Sequence, residues 1–143
     1  RGEGLDPIYT SEEVKKVVLH TIPIEYGAVT DITPDVRLTL YNAGHILGSA
    51  MAHFNIGNGL HNLVYTGDIK YGRTNLLEAA NTQFPRVETM IIESTYGGRD
   101  CVMAKSNADE YLTEVMQRAF NRGGKIIMPV LGSGRAQEVM III

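Results

Sequence analysis

The 143-residue sequence predicts an α/β chain, and three observations carry that reading. Short period-2 runs of β-branched residues fill the first half, apolar runs alternate with helical stripes in the second, and sharp start and stop signals separate them. Thr10-Ser11-Glu12-Glu13 fits a capping box, so a helix is expected near residues 11–20, with Val14, Val17 and Val18 on one stripe and Pro23 ending it. Residues 28–32, 36–41 and 50–56 then read as three consecutive strands. Asn58-Gly59 is a turn whose residues tolerate positive φ, so a hairpin joins 52–56 to 63–65. Residues 71–86 show no clean period and read as a loop with a short helical turn around Leu76 to Ala80. Val87 to Ile92 is a near-continuous apolar run of the kind that is buried on both faces. Ser106 or Asn107 is expected to cap a helix with the stripe Tyr111, Leu112, Val115, Met116, Ala119 and Phe120, ended by Gly123-Gly124. Lys125 to Met128 reads as another buried strand, and a second helix should begin near Arg135, which makes a parallel βαβ unit.

Composition excludes several classes of function. Hydrophobic residues at 44% and charged residues at 20% describe an ordinary globular chain rather than a disordered or fibrous one. A net charge of −3 gives no global field toward nucleic acid, so any such contact must be local. Cys101 is the single cysteine, which rules out an internal disulfide and a cysteine-based zinc finger and points to a reducing compartment, the cytoplasm. No apolar run approaches the roughly 18 residues of a membrane span, so no membrane association is expected. Met140 to Ile143 leave the last helix uncapped and the opening is equally abrupt, so the chain is expected to be a fragment of a larger protein.

Four stretches could carry chemistry. Gly44-His45-Ile46-Leu47-Gly48-Ser49-Ala50 places a histidine in a glycine-flanked loop after a strand, although a lone histidine is more often packed or solvated than ligating. Tyr65-Thr66-Gly67-Asp68 ends another strand in an aspartate, a residue that commonly bonds its own turn. The pairing of the two changes the odds, because an imidazole and a carboxylate at one sheet rim are a metal donor set. Glu93-Ser94-Thr95-Tyr96-Gly97 puts a carboxylate at a third strand end, either a turn acid or a group orienting a ligand. Gly132-Ser133-Gly134-Arg135-Ala136-Gln137-Glu138 is a glycine loop opening a helix, where Ser133, Gly134 and Arg135 could take a phosphate; Gln137 breaks a dinucleotide fingerprint and Leu131 breaks a serine-hydrolase elbow. His20, His53 and His61 read as structural, and Cys101, beside Arg99, as a bystander.

In this order the four stretches resemble the β-CASP branch of the metallo-β-lactamase superfamily, and most nearly the archaeal homologues of the cleavage and polyadenylation specificity factor endonuclease. The resemblance runs over essentially the whole chain. It implies residues 1–97 as the second half of a metallo-β-lactamase αββα sandwich and residues 98–143 as the first βαβ part of a β-CASP domain. It also implies a zinc-dependent ribonuclease acting in RNA 3′-end processing or transcription termination, with RNA as substrate and a homo-oligomer or other RNA-processing and transcription factors as partners. On this resemblance His45 and Asp68 are metal ligands, Asp68 bridging two zinc ions, and Glu93 places a histidine that protonates the leaving oxygen. The zinc ions would activate the attacking water and stabilise the charge that develops on phosphorus.

The family's His-x-His-x-Asp-His motif and its two later histidine motifs do not occur in this sequence. Two ligands do not hold a catalytic zinc, so the fragment alone is expected to be inactive and to bind no zinc stably. Two other readings stand beside this one: a non-catalytic RNA-binding or scaffold subunit of the same family, which the retention of His45 and Asp68 disfavours, and a small-molecule hydrolase, which the segment after Glu93 disfavours. Half a sandwich would leave an apolar sheet face in need of a partner.

Overall fold

A hairpin supplies its own pairing partner, and the first half of the chain is built almost wholly from hairpins. The computed structural model describes residues 7–99 and 105–143. It contains helix α1 (Ser11–Leu19), strands β1 (Val29–Thr33), β2 (Val36–Asn42), β3 (Ala50–Ile56), β4 (His61–Tyr65) and β5 (Thr89–Ile91), and helices α2 (Lys105–Asn121) and α3 (Arg135–Ile142). The strands form one mixed sheet in the order β1-β2-β3-β4-β5. Its first four strands are antiparallel, and β5 is added parallel to β4.

The start signals hold. The Thr10 hydroxyl accepts from the Glu13 amide at 3.4 Å while the Glu13 carboxylate accepts from the Thr10 amide at 2.6 Å, the two halves of a capping box. None of the residues of α1 is buried. The β3–β4 hairpin turns at residues 57–60, with Gly57, Asn58 and Gly59 all at positive φ, a loop of four residues rather than two. Helix α2 ends where the glycines predict: Gly124 donates to Ala119 O and Gly123, at φ 68°, donates to Phe120 O, a Schellman arrangement.

Register assigns the two faces of the sheet. Thr39, Met51, His53, Asn62 and Val64 share one face and are all buried. The segment 79–88 covers them: Arg86 O meets His53 Nε2 at 2.8 Å, the Glu88 carboxylate accepts from the Asn62 backbone and side-chain amides, and Phe84 stands edge-on to Tyr41 at 5.1 Å between ring centroids. The small apolar core of Ala43, Met51 and Ala80, flanked by Tyr41, Ile69 and Phe84, lies on this side. Val36, Leu38, Leu40, Ala52, Phe54 and Leu63 form the opposite face, and none of them is buried. The covered face thus mixes polar and apolar side chains, while the more uniformly apolar face is only partly covered.

Four expectations need correction. The run Val87–Ile92 supplies only the three residues of β5, and Met90, Ile91 and Ile92 are roughly half exposed on a strand whose one ladder partner among the described residues is β4. Lys125–Met128 joins no ladder and Ile127 is 91% exposed, so the parallel βαβ unit is not formed among the described residues. A parallel strand must find a neighbour through a long crossover, and an apolar run alone does not provide one. Residues 76–80 form no helical turn; the Thr74 hydroxyl instead accepts from the Leu76 and Leu77 amides and closes a local turn. Ser106 and Asn107 lie inside α2, which is already helical at Lys105, so its cap falls outside the described residues, as does Cys101.

Candidate metal and phosphate site at the sheet rim

Strand direction gathers the candidate residues. Strands β2 and β4 both run antiparallel to β3, and β5 runs parallel to β4, so all three point the same way and their carboxyl ends open on one rim. His45 follows β2, Asp68 follows β4 and Glu93 follows β5. His45 Nε2 and Asp68 Oδ2 stand 3.8 Å apart.

The His45 loop is held by side-chain oxygens at its two ends. The Ser49 hydroxyl accepts from the amides of His45 and Ile46, both at 3.1 Å, and Asn42 Oδ1 accepts from the Gly44 amide at 2.9 Å. Gly44 has φ 67°, and a Cβ there would lie 2.6 Å from Ala80 N and 2.7 Å from Lys70 O. Those two atoms are bonded to each other at 3.0 Å, and Lys70 donates to Ala43 O at 2.9 Å, so the loop after Asp68 is sewn to the loop that carries His45. Only glycine fits that approach.

Glu93 reaches back across the rim. Its carboxylate accepts from the Ile69 amide at 3.1 Å and the Thr95 amide at 3.0 Å. The Thr95 side chain, then these two amides, hold its pKa below the ordinary value, with a smaller contribution from His45. Glu93 thereby fixes the residue next to Asp68, as a positioning carboxylate would.

Ser133, Gly134 and Arg135 join the same rim from the other end of the chain. They line one cleft with His45 and Ile46, and a Cβ on Gly134 would touch Ile46 Cγ2 at 3.5 Å. Gly134, at φ 79°, starts α3 without a side-chain cap. Docking of α3 depends on Glu138, which is buried and accepts from the Asn75 amide at 2.7 Å. In the sequence Glu138 stands out only as part of the glycine-loop motif, next to the apolar run Val139 to Ile143. The role of Lys70 as a wall of this cleft left no signal in the sequence pattern.

An imidazole nitrogen and a carboxylate oxygen are donors that zinc accepts, and their 3.8 Å separation lets both meet one ion at bonds of about 2.0–2.2 Å. The pair is two donors of the three or four such an ion takes. Among the described residues no group of three or more His, Cys, Asp or Glu side chains is placed to hold a metal. His53 is buried against Phe84 with Nε2 engaged by Arg86 O, and His20 caps α1 through Nδ1 at 2.7 Å from Lys16 O; both are structural. His53 does sit among the polar side chains of β3, and that side is the covered one.

The chain matches no protein-family model. It is similar along its whole length to archaeal proteins named transcription termination factor FttA. Identity is 53% over 144 aligned positions to that of Pyrococcus abyssi and 55% over 144 to that of Methanocaldococcus jannaschii, each covering 100% of this chain. It is 57% over 136 positions, 94% of this chain, to that of Methanothermobacter thermautotrophicus. The chain spans only 22%, 23% and 21% of these three relatives. Among the described residues no helix is long and apolar enough to cross a membrane.

Proposed function

We propose that this chain is the rim-forming part of a zinc-dependent ribonuclease that cuts RNA in transcription termination or 3′-end processing. The convergence of His45, Asp68 and Glu93 on one rim carries the reading, and the name shared by the archaeal relatives supports its setting. In this reading residues 1–97 belong to a metallo-β-lactamase domain and residues 98–143 open a β-CASP domain. The αββα sandwich would place a second sheet on the uncovered face of Leu38, Leu40 and Phe54. The protein works in the cytoplasm, on RNA and beside the transcription machinery.

His45 and Asp68 would hold zinc together with donors from the rest of the protein. Bound there, zinc supplies Lewis-acid activation of water and charge neutralisation at phosphorus. The chain's own residues do the positioning. Ser49 orients the His45 loop, and Glu93 fixes the backbone beside Asp68 through the Ile69 amide. Ser133, Gly134 and Arg135 offer a hydroxyl, helix-end amides and a guanidinium to RNA phosphate.

The test uses the intact protein. Asp68→Ala should lower the zinc content and reduce cleavage of single-stranded RNA by at least about a hundredfold, the scale of losing a catalytic electrostatic contact. Unchanged zinc and an unchanged cleavage rate would refute the assignment. Wild-type protein that retains RNA without cutting it would favour the scaffold reading instead.

A further inference from the structure

The cleft beside His45 has two cationic walls, and only one of them belongs to the glycine loop. Lys70 lies two residues beyond Asp68 and lines the cleft from the sheet side; Arg135 lines it from the first turn of α3. The next basic side chain along this loop is neutralised: Arg73 pairs with Glu78 at 2.9 Å. The side chains of Lys70 and Arg135 have no hydrogen-bond or ion-pair partner among the described residues. Among the described residues Glu138 is the carboxylate that shares this cleft, and it accepts from the Asn75 amide.

Both walls are held by backbone. Lys70 is fixed by its amide on Ala43 O and its carbonyl on the Ala80 amide, the same contacts that leave no room at Gly44. Arg135 is carried by a helix that Glu138 docks onto the loop after Lys70. Lys70 and Arg135 outnumber the Glu138 carboxylate in this cleft, so it is locally cationic in a chain whose net charge is −3. A phosphodiester is the anion that suits this arrangement, because it offers separate oxygens to an ammonium and a guanidinium.

We infer that Lys70 and Arg135 together form a subsite for a backbone phosphate of single-stranded RNA, flanking the phosphate that reacts at His45 and Asp68. The inference rests on the ribonuclease reading and adds to it the residue that grips substrate from the sheet side. Lys70 is a positioning residue, and its loss should weaken binding rather than chemistry.

The experiment measures binding of a labelled single-stranded oligoribonucleotide to the intact protein across a salt series, with steady-state cleavage and zinc content on the same samples. Lys70→Met and Arg135→Gln should each raise Kd about fivefold at low salt, the upper worth of an exposed ion pair. Each should also flatten the slope of log affinity against log salt by about 0.7. KM should rise with kcat and zinc content unchanged, and Lys70→Arg should restore the salt slope. If both charge-removing variants bind with the wild-type slope while wild-type protein cleaves RNA, the subsite is wrong and the ribonuclease reading stands. If wild-type protein shows no RNA affinity, subsite and ribonuclease reading fall together.

Discussion

Residues 29–65 and residues 122–134 both carry apolar, β-branched runs, yet one became a four-stranded ladder and the other joins no ladder among the described residues. The difference lies in loop length. Each of β1 to β4 meets its neighbour across no more than seven residues, so pairing closes at little entropic cost. Lys125–Met128 follows a 17-residue helix and would have to reach an edge already remote in sequence. Apolar content thus marks where a strand can form, and proximity of a partner decides whether it does.

Substitutions sharpen the contrast. The largest effect is expected at Gly44, where a side chain has neither space nor an acceptable φ. Gly44→Val should cost about 4 kcal/mol, combining overpacking and backbone strain, in denaturant unfolding of the intact protein. Met51→Ala, in the fully covered centre of the sheet, should cost about 3 kcal/mol, while Ile127→Ala, on the unpaired segment, should stay within about 0.5 kcal/mol. Equal costs for the last two would mean that residues 125–128 are packed as tightly as the sheet.

A third contrast depends on pH. The Asn62 side-chain amide does most to hold the Glu88 carboxyl below its ordinary value of 4.5; burial opposes it, and the Asn62 backbone amide and Arg86 add to it. The native state therefore takes up this proton later than the unfolded chain as acid is added. The stabilisation is complete above about pH 4.5 and disappears as the pH falls through the depressed value. Glu88→Gln should flatten that acid limb in melting temperatures taken across pH. A curve that keeps the wild-type slope would show that the Glu88–Asn62 contact does not tie segment 79–88 to the sheet. The smallest effect is expected at Gly132, which has open space around a built Cβ, so Gly132→Ala should change stability by less than about 0.5 kcal/mol.

Local chemistry was legible wherever a signal and its consequence lie within a few residues. Thr10 and Glu13 cap α1, Asn58 and Gly59 turn the hairpin, and Gly123-Gly124 end α2, each as the sequence predicts. The placement of His45, Asp68 and Glu93 beyond strand ends was legible for the same reason, since a polar residue closing an apolar run marks a rim. What the sequence hid depends on distant atoms. Arg86 O on His53 and the Asn75 amide on Glu138 are contacts 33 and 63 residues apart, and no period encodes them. Which sheet face is covered was hidden too, because alternation shows that two faces differ without showing which one the chain will fold over.

The shared direction of β2, β4 and β5 turns strand length into a ruler for the rim. Each strand residue advances the chain by about 3.3 Å and turns the next side chain to the opposite face. One residue inserted in β4 would carry Asp68 past His45 by about the distance that now separates them and aim it away. The count of residues between the Asn58-Gly59 turn and Asp68 is therefore fixed by the pair as firmly as the contacts that tie the two rim loops together.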